Sequence, residues 1–207
     1  DGTGQALVLA GLRIVGGGGI DPHQLPEARL RWEDGMRARG ARGLLGPSTK
    51  LALGRVRAGA DPHCTGRQGT TNGAAVRVAP VGIAFSLRAD GDALARAVQA
   101  SCLVTHDTRQ GFEAAGLLAA AVSAAIDGVD AAGALGAALD FVAAHPEAGH
   151  WPETASVAAR TRLALETSRD LHGEALPPHL RTSVGPSVQP VASVPCAPAT
   201  VPASPQP

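Results

Sequence analysis

Aromatic side chains are scarce in this sequence, at 2% of its 207 residues, although hydrophobic residues make up 44%. Alanine, leucine and valine must therefore build the core. Strands draw preferentially on β-branched and aromatic side chains, whereas small unbranched residues suit closely packed helices. The chain is long enough for one domain with a sizeable core. The composition therefore predicts an all-α fold.

Net charge is absent as well, because 18 Lys and Arg residues balance 18 Asp and Glu residues. A chain without net positive charge has no general attraction to nucleic acid or to anionic membranes. No apolar run reaches the length that spans a bilayer, and no charged-then-apolar segment opens the sequence. We expect a cytoplasmic protein that binds neither nucleic acid nor membrane.

Cysteine is rare and scattered, since Cys64, Cys102 and Cys196 lie far apart and are odd in number. No Cys-x-x-Cys pair occurs, which argues against a zinc ribbon. Isolated thiols in a reducing compartment are inert unless their surroundings activate them. We expect neither a disulfide nor a catalytic cysteine.

Helical patterns cover most of the chain before its proline-rich end. They predict helices over residues 4–15, 21–40, 50–59, 90–104, 105–128, 129–145 and 153–173. The pattern of 105–128 is the strongest, with Asp107 at the expected N-cap. Residues 185–207 hold seven of the 16 prolines. We therefore expect a helical domain over 1–184 and a disordered tail without a helix over 185–207.

Three short stretches have both a structural and a chemical interpretation. Residues 69–73, "GTTNG", form either a hairpin turn before a strand or a loop whose amides approach a pyrophosphate. The local pattern favours the strand, which Pro80 would restrict to a sheet edge. His106 either hydrogen-bonds locally or contacts a ligand. Asp1 either caps the first helix or belongs to a metal site.

In their order and spacing these stretches resemble the ADP-ribosylglycohydrolase family, relatives of the dinitrogenase-reductase-activating glycohydrolase. The segment "TNGAAVRVAP" (71–80) is similar to the family's Gly-Asn-Gly-Ala-Ala-Met-Arg-(Val/Ile)-Ala-Pro motif, with Val76 in place of methionine. The segment "DGTGQALVLA" (1–10) is similar to the family's Thr-Asp-Asp-Thr motif. The segment "VTHDTRQGFEAAGLL" (104–118) is similar to its Thr-His pair before an Ala-rich helix. The segment "RTSVGPSVQPVASVP" (181–195) is similar to its Gly-Thr-Ser-Val…Ser-Val-Pro segment.

The resemblance covers most of residues 1–195 and implies a compact multi-helix domain, in which the segment after residue 73 is a helix with a proline rather than a strand. It implies hydrolysis of the glycosidic bond between ADP-ribose and a protein side chain, so the partner would be an ADP-ribosylated protein or ADP-ribose. It implies a dinuclear Mg²⁺ or Mn²⁺ site with Asp1 as a ligand. The residues it places around ADP-ribose are Gly69, Thr70, Thr71, Asn72, Gly73 and His106.

The sequence departs from the family pattern at the metal motifs. Gly2 replaces the second aspartate of the first motif, and no Asp or Glu follows Glu174. The family's Gly-Gly-Asp-Thr-Asp-Thr motif is not found after the Ser-Val-Pro segment. We therefore expect a chain truncated at both ends, with an incomplete metal site and impaired catalysis. The alternatives are a catalytically inactive ADP-ribose-binding module and a non-functional structural remnant.

Overall fold

The computed structural model describes residues 2–41, 45–150, 155–171, 173–185, 187 and 189–199. Eleven α-helices account for most of these residues. Within these ranges no strand forms, so the all-α prediction is confirmed. The helices are α1 (Gly2–Val15), α2 (Gln24–Ala38), α3 (Pro47–Arg57), α4 (Pro62–Thr65), α5 (Ala79–Ala84), α6 (Gly91–His106), α7 (Arg109–Ile126), α8 (Ala131–Ala144), α9 (Val157–Ser168), α10 (Leu176–Ser183) and α11 (Pro190–Ala199). In the same ranges, none of these helices has the length and apolar character needed to cross a bilayer.

Side-chain caps and glycines set the ends of several helices. Asp90, Asp130 and Ser156 each accept a hydrogen bond from the backbone N–H three residues further on, at 2.8, 2.8 and 3.1 Å. Helix α1 ends where Gly17 and Gly18 adopt φ values of 60° and 100°, which favour glycine. The helix boundaries therefore follow local chemistry that is visible in the sequence.

The cap of α7 lies one residue beyond the predicted position. Thr108 has an extended backbone, and its Oγ1 accepts a hydrogen bond from the Gly111 N–H at 3.0 Å. Asp107 instead follows the end of α6, and its carboxylate lies 3.4 Å from His150 Nε2. The prediction of Asp107 as the cap is wrong because the Thr108 hydroxyl occupies the capping position.

The core is built mainly from alanine, leucine and valine around α7, as the composition predicted. Helix α7 packs against α5, α6 and α8. Gly82 lets α5 approach closely, because a Cβ at this position would overlap the carbonyl oxygen of Ala119. Phe112 and Phe141 supply aromatic bulk, with ring centroids 6.3 Å apart. Short side chains thus allow close helix packing around α7.

The segment after residue 73 is helical. It forms a 3₁₀ turn over Ala75–Arg77 and then α5, in which Pro80 lies in the first turn. Proline is tolerated there because the first N–H groups of a helix have no partner within the helix. The helix implied by the family resemblance is confirmed, and the strand favoured by the local pattern is wrong.

The C-terminal segment also differs from the prediction. Helix α11 (Pro190–Ala199) lies inside the segment 185–207 that was expected to hold no helix, so that prediction has to be corrected. Pro190 occupies the first helical position, where its missing N–H costs no hydrogen bond. Helix α11 packs against α9 and α7, with Ala192 buried. Burial against neighbouring helices offsets the low helix propensity of a proline-rich sequence.

Candidate functional site

The loop 69–73 lies directly against the C-terminal end of α6. A Cβ on Gly69 would overlap the carbonyl oxygen of Thr105 and stand 2.5 Å from the Cα of His106. A Cβ on Gly73 would stand 2.9 Å from His106 Cε1. The close approach therefore requires glycine at position 69, where the neighbouring atoms belong to the backbone, and a Cβ at position 73 would displace the buried His106 ring. The structure brings the predicted loop residues and His106 together, although they come from separate motifs.

Four successive backbone N–H groups of the loop have no partner in the described part of the chain. The N–H groups of Thr70, Thr71, Asn72 and Gly73 donate to no described acceptor. These four residues are partly exposed, whereas Gly69 is buried. Successive unpaired amides in a glycine-containing loop are the groups that commonly bind phosphate oxygens. The loop is therefore suited to an anionic ligand.

His106 lies behind the loop and has no exposed surface. Its Nε2 lies 2.9 Å from Thr71 Oγ1, and its Nδ1 lies 2.9 Å from Thr105 Oγ1. Burial, together with nearby Arg77 and Arg29, holds the pKa of His106 well below its ordinary value. The neutral ring therefore supports the loop from inside. Direct contact between His106 and a ligand stays a prediction.

Two fully buried arginines stand behind the loop. Arg77 donates hydrogen bonds to the backbone carbonyls of Gly73 and Ser101. Arg77 also donates to Thr105 Oγ1 at 2.8 Å, and Arg29 donates to the same oxygen at 3.3 Å. Among the described residues neither arginine forms an ion pair, and Nε of both arginines has no hydrogen-bond partner. The interior behind the loop thus carries positive charge that no described carboxylate pairs with.

This positive charge persists at neutral pH. Burial lowers the pKa of Arg77 to about 10. Burial also lowers the pKa of Arg29, and repulsion from the nearby Arg77 lowers it further. Because guanidinium groups remain protonated in proteins, both side chains stay cationic. An anion bound at the loop would gain from these charges, since attraction is stronger in a low-dielectric interior than in water.

Sequence reasoning assigned no role to Arg29, Arg77 or Thr105. Arg77 stands inside the apolar run of the quoted central motif, and a charged residue in a buried run is a signal that could have identified it. Arg29 and Thr105 are 76 positions apart, so no local pattern reveals their contact.

Asn72 connects the loop to α11. Its Nδ2 donates a hydrogen bond to Ser193 Oγ at 3.2 Å across 121 positions of sequence. Ser193 opens the Ser-Val-Pro segment near the C-terminal end of the sequence. The structure thus joins the central motif to the C-terminal segment, and Ser193 enters the site although no role was predicted for it.

Metal ligands do not converge in the described residues. No group of three or more His, Cys, Asp or Glu side chains that could hold an ion occurs among them. Asp1, the predicted metal ligand, lies outside the described residues. Because Mg²⁺ takes several hard oxygen ligands, the described side chains do not fit a dinuclear site.

A cleft of about 360 Å³ lies between α6 and the turn after α8. Its polar lining comes from Asp92, Arg96, Gln99, His145 and Glu147. Neither the loop residues 69–73 nor His106 line it, so this cleft is separate from the loop.

Comparison with known proteins places these features in a family. Residues 1–203 match the family model described as ADP-ribosylglycohydrolase. The chain therefore belongs to the ADP-ribosylglycohydrolase family, as the central motif and the all-helical fold indicate.

A comparison with curated proteins finds a likeness to a longer protein. The chain is 34% identical over 203 residues to "Uncharacterized protein YegU" of Escherichia coli (strain K12). The match covers 97% of this chain and 60% of that protein. The chain thus spans about three-fifths of the length of this relative.

Replacing His106 with glutamine is expected to make the free energy of unfolding less sensitive to acid. In the folded chain the pKa of His106 lies well below its ordinary value of 6.5, to which it returns on unfolding. Below that ordinary value the unfolded state binds a proton that the folded state does not. His106 therefore contributes a loss of about 1.4 kcal/mol in the free energy of unfolding per pH unit as the pH falls, until its folded-state pKa is reached.

The measurement is urea unfolding of both proteins from about pH 7.5 to about pH 4.5. The same replacement at the exposed His23 is the matched control. Parallel pH profiles for the wild type and His106→Gln would show that His106 titrates normally in the folded chain.

Proposed function

We propose that this chain carries the ADP-ribose-binding element of a glycohydrolase that releases ADP-ribose from a modified protein side chain. The observation that carries the proposal is the loop 69–73. The amides of its residues 70–73 have no partner among the described residues, and the buried Arg29 and Arg77 lie behind the loop. ADP-ribose presents a diphosphate, which is the kind of anion that such amides bind. Membership of the ADP-ribosylglycohydrolase family supports this choice of ligand.

Each loop residue has a distinct part in the proposed binding. Gly69 and Gly73 let the backbone lie close to α6, where larger residues would overlap it. Thr70, Thr71 and Asn72 offer their amides to the diphosphate. Asn72 also ties the loop to α11 through Ser193, which limits the entropy lost when the ligand orders the loop.

We further propose that hydrolysis requires Mg²⁺ or Mn²⁺, with Asp1 as one ligand. Such ions would supply Lewis-acid activation at the ribose. The described residues contain no cluster that could hold them, so this part of the proposal rests on the family resemblance. Since the chain spans 60% of its E. coli relative, hydrolysis is proposed for the whole protein rather than assigned to these residues.

A second candidate function is a module that binds ADP-ribose without hydrolysing it. The observation that favours it is the combination of an intact loop with the lack of a metal-binding cluster among the described residues. Binding through amides and buried cations needs no metal ion, whereas the family reaction does.

Release of ADP-ribose from proteins modified on arginine or on serine distinguishes the two candidates. The purified whole protein that contains this chain is incubated with each substrate in Mg²⁺, in Mn²⁺ and in EDTA, and free ADP-ribose is measured. Release that EDTA abolishes would establish the hydrolase. No release, together with saturable binding of ADP-ribose, would establish the binding module, and a whole protein that does neither would refute both.

A further inference from the structure

The donor and the acceptor of each hydrogen bond behind the loop can be assigned, starting from Thr105. Its Oγ1 accepts hydrogen bonds from Arg77 at 2.8 Å and from Arg29 at 3.3 Å. Guanidinium nitrogens can only donate, so both lone pairs of the hydroxyl oxygen are occupied. The third partner of this oxygen is His106 Nδ1, at 2.9 Å. The Thr105 hydroxyl must therefore donate its own proton to that nitrogen.

This assignment fixes the state of the imidazole ring. Because His106 Nδ1 accepts a hydrogen bond, it carries no proton. In a neutral ring the proton then lies on Nε2, which donates to Thr71 Oγ1 at 2.9 Å. The two buried cations behind the ring disfavour a second proton, which agrees with the lowered pKa of His106.

We propose that Arg29 and Arg77, acting through Thr105, hold His106 as the neutral Nε2–H tautomer and so turn the Thr71 hydroxyl into an oriented hydrogen-bond donor at the loop surface. Thr71 Oγ1 already accepts from the histidine, and its proton has no acceptor among the described residues. Thr71 is partly exposed, so a ligand bound at the loop can reach this residue.

The chain of hydrogen bonds selects the ligand group that faces Thr71. The Thr71 hydroxyl is an oriented donor, and two cations at the inner end of the hydrogen-bond chain polarise it. It therefore favours a negatively charged acceptor over another donor. With the proposed function, on which this step rests, that acceptor is a phosphoryl oxygen of ADP-ribose. Arg29, Arg77 and Thr105 then act as positioning residues, because they act on the ligand only through His106 and Thr71.

The tautomer of His106 tests the hydrogen-bond chain without any ligand. Two-dimensional ¹H–¹⁵N spectra of the imidazole nitrogens distinguish the two neutral tautomers and the cation, and the His106→Gln spectrum identifies the resonances of His106. The expected result is a neutral Nε2–H ring that does not titrate between about pH 5 and pH 8. A proton on Nδ1, or an imidazolium within this range, would overturn the inference.

The affinity of ADP-ribose tests the role of the Thr71 hydroxyl. Thr71→Val is expected to weaken binding about tenfold, whereas Thr71→Ser, which keeps the hydroxyl, should bind nearly as well as the wild type. Thr182→Val, which removes an exposed hydroxyl from α10, is the control. Equal affinities for all four proteins would overturn the assigned donor. If the wild type bound no ADP-ribose, the proposed function would fail, and the hydrogen-bond chain would still be decided by the tautomer.

Discussion

Replacing Gly69 with alanine is expected to abolish ADP-ribose binding and to lower the free energy of unfolding by about 3 kcal/mol or more. The added methyl group would overlap the carbonyl oxygen of Thr105 and stand 2.5 Å from His106 Cα. Both are backbone atoms at the end of α6 and cannot rotate away as a side chain can. Thr108 Oγ1 also donates to the Gly69 carbonyl at 2.8 Å, so the loop is held in place on a second side.

Gly136→Ala provides the matched control for this substitution. Gly136 lies within α8, is exposed, and has no atom within 4 Å of the position that a Cβ would occupy. Alanine there should stabilise the chain by about 0.5 to 1 kcal/mol through helix propensity. Chemical unfolding and calorimetric titration measure both effects. Unchanged stability and affinity in Gly69→Ala would contradict the close contact between the loop and α6.

Replacing Glu113 with glutamine is expected to lower the free energy of unfolding by about 3 to 5 kcal/mol. The Glu113 carboxylate is buried and lies 2.9 Å from Arg109 Nε. It also accepts hydrogen bonds from the Ser156 hydroxyl at 2.9 Å and from the Ala158 N–H at 3.1 Å. The substitution leaves Arg109 as a buried cation without its counter-charge, and it replaces one of the two acceptor oxygens at the start of α9 with an NH₂ group that can only donate.

A second Arg–Glu pair with the same helical spacing supplies the control. Glu27 and Arg31 lie 3.4 Å apart on α2, with side chains 69% and 71% exposed. Because water screens this pair, Glu27→Gln should leave the unfolding midpoint almost unchanged. Equal losses of stability from the two substitutions would show that burial does not strengthen the Arg109–Glu113 pair.

The helical architecture was predictable because it follows from local patterns. Helices α6 to α9 lie where apolar spacing and capping residues predicted them, and α1 ends at Val15, where the first predicted helix ends. The errors arose where the surroundings override local preference. The turn signal at Asn72 favoured a strand, and the prolines after residue 185 argued against a helix, yet packing against α7 and its neighbours makes both following segments helical.

The candidate site was only partly predictable. The family resemblance predicted the loop 69–73 as a binding element, because the segment after Thr71 is similar to the family's central motif. The burial of His106 could not be read from the sequence, since it depends on Gly69 and Gly73 meeting the end of α6 from another part of the chain. The positive interior depends in the same way on Arg29 reaching Thr105 across 76 positions.

The apolar surface of α7 was also less predictable than its helical form. The spacing of apolar residues places Leu118 and Ile126 on the same stripe as the buried Phe112. Leu118 and Ile126 are nevertheless 41% and 60% exposed. Helical periodicity identifies the stripe, but the neighbouring helices decide how far along α7 it is covered.

The most direct test of the central claim is a titration of the ¹⁵N-labelled chain with ADP-ribose, followed through its backbone amide resonances. Binding at the loop predicts that the amides of Thr70, Thr71, Asn72 and Gly73 shift most, and that they saturate together. Resonances around the separate cleft of Asp92 and His145 should remain in place. Shifts centred on that cleft, or no saturable shift at the loop, would contradict the assignment of residues 69–73 as the ADP-ribose-binding element.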